Sequence, residues 1–231
     1  VIATVGVGAS PKGLAVNTAS TRVYVANLSD DTVSVIDTDS NAVIVTVAVG
    51  TVPTGVAVTP DGTHVYVTNQ GSDSVSVIDT ASNTVIATVA VGDRPSGIAV
   101  NPAGTRAYAA NSNMPSTVSV IDTASNTVVA TVAAGTSPRG VSVNPAGTHV
   151  YVANTGSSNV SVIDTATNSV TTTISVGGGP AAFGLFIATL PAAATAWMKS
   201  VCRHRNAGVC STSTAAAAAG ISSIACTSVS T

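Results

Sequence analysis

Short runs of alternating hydrophobic and polar residues recur along most of the chain, each bounded by turn-forming residues. The segment "HVYVTNQGSDSVSVIDT" (64–80) has three close counterparts, at 22–38, 106–123 and 149–165. The two ends of the segment are copied closely, whereas its middle differs in every copy. Runs of β-branched residues with a period of two predict short strands, and the Gly, Ser, Asn and Asp between them predict turns.

The copies recur at a fixed period. The four tyrosines, Tyr24, Tyr66, Tyr108 and Tyr151, are 42, 42 and 43 residues apart. The single extra residue falls between Asn111 and Val118, inside the part of the segment that differs between copies. Because loops tolerate insertions better than strands do, this part is predicted to be a loop.

Each period contains four strand-like runs. In the second copy they are "GVAV" (55–58), "HVYV" (64–67), "VSVID" (75–79) and "VIATVAVG" (85–92). Turn residues separate all four, so the predicted unit is a four-stranded antiparallel sheet. The turn "NTAST" of the first copy has Ser20 where the other copies have Gly, which predicts that the first sheet is the least regular.

Both faces of each predicted sheet are partly apolar. Val65 and Val67 point to one face and Tyr66 to the other, while Val75 and Val77 oppose Ile78. A sheet with apolar residues on both faces is expected to pack between two neighbours. Four-stranded units of about 40 to 45 residues that stack face to face predict an all-β fold, a β-propeller.

The repeated sequence motifs resemble those of a known protein family. The stretches "YVAN", "YVTN", "YAAN" and "YVAN", each followed by "VSVIDT", resemble the YVTN-repeat β-propeller family of bacterial and archaeal surface or exported proteins. The resemblance covers residues 1 to about 187. It implies an extracellular, cell-surface or periplasmic protein with a binding or scaffold role, and a ring of about seven blades, for which this chain is too short.

The repeats define the predicted domain boundaries. Residues 1–187 are predicted to form the propeller region, with an outer strand at 1–7, four complete blades, and a partial fifth blade; the blade boundaries are about 9–50, 51–92, 93–135, 136–177 and 178–187. We expect an open arc of four blades, with a five-bladed disc as the alternative. An open arc would expose the apolar face of an end blade, which favours self-association.

The tail, residues 188–231, follows none of these patterns. It is rich in Ala, Ser and Thr and contains all three cysteines, an odd number that cannot form a closed disulfide framework. A poorly ordered or non-native tail is expected. A membrane anchor at 181–198 is the alternative, since that stretch has no charge and Lys199, Arg203 and Arg205 follow it.

Charge excludes one class of partner. The chain is only 8% charged, against about 25% in an ordinary domain. All ten acidic residues are Asp, and all lie before the tail. The same region, residues 1–187, contains only five basic residues. A nucleic acid needs clustered Lys and Arg, so this acidic region is not expected to bind one.

The repeated polar residues are interpreted as structural. Asp37, Asp79, Asp122 and Asp164 each begin a turn such as "DTASN", where Asp can accept bonds from the turn backbone and the Asn (41, 83, 126, 168) can adopt a left-handed conformation. Asn27, Asn69, Asn111 and Asn154 are interpreted as strand-end caps. His64 and His149 occupy the position of Arg22 and Arg106, which indicates a solvated strand start rather than a metal ligand.

Catalytic chemistry is not expected. No Glu, no distinctive Ser–His–Asp set and no phosphate-binding Gly loop is present, and Cys202, His204 and Cys210 make only a weak metal set. Lactonase-like and nitrous oxide reductase-like propellers use acidic residues or many histidines, and this chain lacks both inventories. We expect no cofactor and no resident metal.

The turns are expected to divide between two rims. The connections "GASPKG", "GTVPTG", "GDRPSG" and "GTSPRG" share one rim with the variable middles, while "PDGT" and "DTASN" turns form the other. Binding sites on rigid scaffolds occupy variable loops. The predicted ligand-binding residues are therefore Lys12, Asp30, Asp31, Asp73, Asp93, Arg94, Asn113 and Arg139. Asp30, Asp31 and Asp73 alone are too few to complete a Ca²⁺ site.

Two classes of function remain after these exclusions. The first is a non-enzymatic exported or surface propeller that binds protein or glycan or builds a surface layer. The second is a fragment of a propeller enzyme whose catalytic residues lie on missing blades.

Overall fold

The computed structural model describes residues 1–181, 210–212 and 224–226. The described residues contain strands and no helix. Residues 1–181 hold four antiparallel sheets of four strands each, with the strand order of each sheet following the chain. The predicted all-β fold of four-stranded antiparallel units is confirmed.

The four sheets are named blades 1 to 4. Blade 1 comprises β1 (Pro11–Val16), β2 (Arg22–Asn27), β3 (Thr32–Asp37) and β4 (Ala42–Ala48). Blade 2 comprises β5 (Pro53–Val58), β6 (His64–Asn69), β7 (Ser74–Asp79) and β8 (Thr84–Ala90).

The third and fourth blades repeat this plan. Blade 3 comprises β9 (Pro95–Val100), β10 (Arg106–Asn111), β11 (Thr117–Asp122) and β12 (Thr127–Ala133). Blade 4 comprises β13 (Pro138–Val143), β14 (His149–Asn154), β15 (Asn159–Asp164) and β16 (Ser169–Ser175).

Successive blades pack face to face through three hydrophobic seams. In each seam, the earlier blade contributes the face that carries its Tyr and several Val residues, which we call its trailing face. The next blade contributes its opposite, or leading, face, which carries Val or Ala residues and an Ile. In the seam between blades 1 and 2 these include Tyr24, Val33, Val35, Val65, Val67 and Ile78. The other two seams repeat the pattern. Each fully buried Val or Ile contributes about 1.5–3 kcal/mol, so the seams dominate stability.

Within the described residues, no blade lies in front of the leading face of blade 1. Leu14 is 60% exposed, whereas its equivalents Val56, Ile98 and Val141 are 8%, 5% and 1% exposed. Val16 on the same strand is 49% exposed. The four described blades therefore do not close on one another through this face.

The inner strands approach one another so closely that they require glycine. A Cβ added at Gly13, Gly55 or Gly97 would lie 2.1, 2.4 or 2.2 Å from a carbonyl oxygen of the next inner strand. Real Cβ atoms do not approach backbone oxygen at such distances, so the Gly that follows each inner-strand Pro sets the spacing of neighbouring blades.

The repeated Asp and Asn of the "DTASN" turns have the predicted structural roles. The carboxylate of Asp79 accepts bonds from the backbone N and Oγ of Ser82, both at 2.7 Å. These bonds hold the pKa of Asp79 below its usual range. Asn83 lies in the left-handed region with φ 54°, and the other three turn asparagines do the same.

The first blade uses the same turn conformation despite its different sequence. Ser20 has φ 57°, close to the 75° of Gly62 at the equivalent position. A non-Gly residue adopts this conformation at some cost in free energy. The "NTAST" turn is therefore an equivalent turn built from a less suitable residue.

The structure corrects the interpretation of four repeated asparagines as strand-end caps. They are Asn27, Asn69, Asn111 and Asn154. These side chains are fully buried. Asn69 Nδ2 donates to Ser74 Oγ (3.1 Å) and Ser76 Oγ (2.9 Å) of the neighbouring strand, rather than capping a strand end. A Gly packs directly on each amide, since a Cβ at Gly50 would lie 2.7 Å from Asn69 Cγ.

Several predictions concern the ends of the chain. Residues 1–7, for which an outer strand is predicted, form no strand, because they pair with no strand of the described residues. From residue 182 onward, the predicted partial fifth blade (178–187) and the candidate anchor (181–198) lie outside the described residues. No helix long and apolar enough to cross a membrane occurs in the described part of the chain.

Residues beyond the propeller region belong to a second unit, 187–231. Its described part is a two-stranded antiparallel pair, β17 (Cys210–Thr212) and β18 (Ile224–Cys226).

Candidate functional site

The loops separate onto two rims, as predicted. On the variable rim, the loop after each second strand bonds to the connection that precedes the same blade: Gln70 N donates to Val52 O (2.9 Å) and Ser112 N to Arg94 O (3.1 Å). On the opposite, uniform rim, Thr80 N donates to Thr63 O (3.0 Å), which joins a "DTASN" turn to a "PDGT" turn.

The acidic residues of the variable rim connect consecutive blades. Asp31 Oδ1 accepts a bond from Val52 N, and Asp73 Oδ1 accepts one from Arg94 N, both at 2.8 Å. Asp30 Oδ2 accepts a bond from Ala9 N at 2.7 Å. Three of the predicted ligand-binding residues therefore hold backbone groups of the rim, which reduces their freedom to bind a ligand.

Three other predicted residues lie together in one pocket. Arg94 and Asn113 of blade 3 and Arg139 of blade 4 line a hollow of ≈ 190 Å³ at the variable rim. Asp93 lies beside it and accepts a bond from Asn113 Nδ2 at 2.6 Å. Lys12 is exposed on β1 and does not line this pocket.

The other side chains of the pocket were missed by sequence reasoning. They are Gln70 of blade 2, Ser112 of blade 3 and Ser137 of the connection to blade 4. All three lie in variable-rim segments, so the variation between copies was the available signal. We name this group of six residues the rim pocket.

The two arginines of the rim pocket are not neutralised by an ion pair. On the uniform rim, Arg22 pairs with Asp37 and Arg106 pairs with Asp122. Neither the guanidinium of Arg94 nor that of Arg139 forms an ion pair or a hydrogen bond within the described residues. The side-chain amide of Gln70 also forms no bond there, so the pocket presents several unused donors.

The backbone beneath Arg94 is held firmly. Its N–H donates to Asp73, and its carbonyl oxygen accepts bonds from Ser112 N (3.1 Å) and Ser112 Oγ (2.9 Å). Its φ of 52° is in the left-handed region, which is unusual for Arg and is maintained by these bonds. Ser137, before Arg139, has the same conformation and donates its N–H to Ser116 Oγ at 3.2 Å.

Two other hollows have fewer groups that could bind a polar or charged ligand. A groove of ≈ 530 Å³ between the outer edges of blades 1 and 2 has Asp73 as its charged lining residue, and that carboxylate already binds Arg94 N. A hollow of ≈ 380 Å³ along the inner strands is lined mostly by apolar side chains, including Leu14, Val58 and Val143. Neither combines charge with unused hydrogen-bond donors.

The histidines and carboxylates do not assemble a metal centre in the described part of the chain. No group of three or more His, Cys, Asp or Glu residues is close enough to hold an ion there. His64 and His149 lie at strand starts, where each ring Nδ1 is within hydrogen-bond distance of the preceding Thr hydroxyl.

The repeated blades match a family model over residues 5–180, that of the Choice-of-anchor I domain. The chain belongs to this family. The family description names an anchor, which associates this chain with surface-related propellers. The narrower assignment to the YVTN-repeat family stays a prediction.

Solved structures also resemble this Choice-of-anchor I chain. Kuenenia stuttgartiensis hydrazine synthase is similar at 33% identity and a TM-score of 0.68, over 75% of this chain and 52% of that chain. The β-propeller domain of Myceliophteria thermophila Cps50 (Swd1) is similar at 14% identity and a TM-score of 0.67, over 78% of this chain and 59% of that chain.

The second likeness concerns the fold alone and supports a propeller arrangement of the blades. The chain spans little more than half the length of either structure. No curated protein matches the sequence.

Proposed function

We propose that this chain is a non-enzymatic binding module of an exported or cell-surface protein, with its variable rim as the binding face for a glycan or a protein. One observation carries the proposal. On the uniform rim Arg22 and Arg106 are each paired with an aspartate, whereas Arg94 and Arg139 of the variable rim form no ion pair in the described residues and line a polar pocket drawn from three blades.

The arrangement is typical of a recognition scaffold. The seams and inner-strand glycines keep the blades rigid while the rim loops differ from copy to copy. A rigid framework lowers the entropic cost of holding binding groups in place. Membership of a family described by an anchor is consistent with display outside the cell.

A binding screen on defined arrays would test this function. The probes are oligosaccharides of known structure and peptides of known sequence, incubated with the full chain. We expect Arg139→Gln to weaken binding to whichever probe the chain recognises, while Arg106→Gln, an equal charge change on the uniform rim, preserves it. Equal behaviour of the two variants would contradict a binding role for the variable rim.

An enzymatic role is the second candidate, favoured by the 33% identity to hydrazine synthase. It would require catalytic groups outside the described residues. Metal content and visible absorbance of the purified protein distinguish the two roles, since a bound redox group would favour the enzyme and contradict a purely binding function.

A further inference from the structure

The rim pocket has the chemistry of a site for an anion. Arg94 and Arg139 line one hollow from different blades, and neither guanidinium has a carboxylate partner in the described part of the chain. Guanidinium groups bind carboxylates through two parallel hydrogen bonds, and such charge-assisted bonds are among the strongest in proteins.

The acids nearest the pocket are already occupied. Asp73 binds the backbone N–H of Arg94, and Asp93 binds the amide of Asn113. These bonds direct both carboxylates toward groups of the rim itself. The arginine side chains therefore remain available to an incoming acid.

The remaining lining groups favour a sugar. Gln70, Asn113 and the serine hydroxyls offer amide and hydroxyl groups, which match the hydroxyl groups of a saccharide. Among the described residues no aromatic side chain lines the pocket, and all four tyrosines are buried in the blades. A neutral sugar would find no ring to stack on, and an apolar peptide side chain would find no hydrophobic wall.

The size of the pocket restricts how much of a ligand enters it. At ≈ 190 Å³ it is smaller than the roughly 300–1,000 Å³ of pockets for drug-sized molecules. One sugar ring with its carboxylate is a suitable occupant, while the rest of a polysaccharide would continue across the rim.

We propose that the rim pocket binds the carboxylate-bearing sugar of an acidic polysaccharide, with Arg94 and Arg139 holding the carboxylate and Gln70 and Asn113 contacting its hydroxyls. This inference rests on the proposed binding function and names its ligand class.

Isothermal titration calorimetry with tetragalacturonate, using the full chain, is the direct test. Its methyl ester is the matched neutral probe, and a poly-glutamate peptide and a sulfated oligosaccharide are the competing anions. We expect tetragalacturonate to bind, the methyl ester to bind at least about tenfold more weakly, and added salt to reduce affinity.

Variants locate the site. The double change Arg94→Ala and Arg139→Ala should reduce affinity about 10- to 100-fold, because it removes charge-assisted bonds. Arg22→Ala with Arg106→Ala removes the same charge from the uniform rim and should leave affinity within about twofold, as expected for distant screened charges. Circular dichroism confirms that each variant folds.

Every other outcome contradicts the inference, and each one identifies which part of it is wrong. Equal binding of the methyl ester excludes carboxylate recognition, and equal loss in both double variants shows non-specific attraction. Stronger binding of the peptide or the sulfated sugar assigns a different ligand class and leaves the binding function intact. Absence of tetragalacturonate binding, together with rim-dependent binding of another array probe, refutes this inference alone. Absence of any rim-dependent binding refutes the function as well.

Discussion

Single aspartates fasten the turns of the uniform rim. In each copy the carboxylate at the end of the third strand accepts a backbone bond from the turn that follows, and in each copy these bonds hold its pKa below the usual range. These groups are partly exposed to solvent, which screens the interactions, so each effect is small. Their fourfold repetition makes acid sensitivity a property of the whole rim.

Asp79→Ala should lower the melting temperature at neutral pH, because the turn loses both bonds from Ser82. Since the folded pKa is depressed, the stabilisation is present above the unfolded pKa and is lost as pH falls through the folded value. Thermal melts at neutral pH and below pH 3.8 should therefore show a larger difference at neutral pH. Asp39→Ala removes an acid with no hydrogen bond in the described residues and serves as the control. An unchanged melt for Asp79→Ala would contradict the structural role.

Tyr66 connects two blades through a polar bond inside an apolar seam. Its hydroxyl donates to Asn126 Oδ1 in the next blade at 2.8 Å. Burial, with smaller effects of Asp122 and Asp61, raises the pKa of Tyr66 to about 12. The folded protein therefore holds the proton of this phenol at pH values where the unfolded chain loses it.

Tyr66→Phe should reduce the free energy of unfolding by about 1 kcal/mol, the net contribution of one hydrogen bond. Stability of the wild type should fall as pH rises from 10 toward 12, because the unfolded phenol ionises first, and Tyr66→Phe should lessen that fall. Urea denaturation measures both effects. Tyr24→Phe removes an equivalent hydroxyl that forms no hydrogen bond in the described residues, so an equal loss there would show that the bond to Asn126 is unimportant.

At the scale of strands, the spacing of the blades depends on glycines of the inner strands. The "PxG" sequences of blades 1 to 3 each place a Gly where the next inner strand approaches, with a carbonyl oxygen 2.1–2.4 Å from where a Cβ would lie. The outer strands of blades 1 to 3 contain no Gly, and their side chains alternate between exposed and at least half-buried positions, with one buried Val in each strand. Blade packing is therefore tightest at the inner strands.

Gly97→Ala should destabilise the protein by about 1–3 kcal/mol or more, because the new methyl group would overlap Arg139 O and separate blades 3 and 4. Gly177→Ala is the matched control, since no described residue lies within 4 Å of its added Cβ. Chemical denaturation of the two variants makes the comparison. Similar stability in both would mean that the inner strands can move apart without cost.

Strands and faces were predictable from the sequence because alternation is a local property. Val65, Val67 and Ile78 share a face in the structure, opposite Tyr66, Val75 and Val77, as their period of two indicates. The requirement for Gly97 was not predictable, because it arises from Arg139 on another blade. The burial of Asn69 beneath Gly50 was missed for the same reason.

At the scale of the whole molecule, the rim pocket was even harder to predict from the sequence, because its residues come from different blades. Variation between copies directed attention to Arg94, Asn113 and Arg139, which the structure brings together in one pocket. It could not show that Asp31 and Asp73 are used to join blades, nor that Gln70 lies next to residues of two other blades. Such groupings depend on how blades are placed side by side.

The exposed leading face of blade 1 should make the chain associate with a second copy at high concentration. The equivalent face of every later blade is buried against the preceding blade of this chain, so an uncovered apolar face of the same kind favours self-association. Leu14→Asp should shift the sedimentation profile toward monomer.

Ile86→Asp is the control for this prediction, because Ile86 is similarly exposed, at 50%, but lies on an outer strand. A wild type that sediments as a monomer at every concentration would refute the association. So would an equal shift in both variants.

The three seams between blades are built from one repeated set of residues. A coding repeat could therefore be duplicated or lost in frame, and every remaining blade would still meet a neighbour that fits. The near-identity of the repeats also gives recombination long matching tracts to align. Blade number can therefore change without disrupting the remaining seams, and each gained or lost blade would bring or remove its own rim loops.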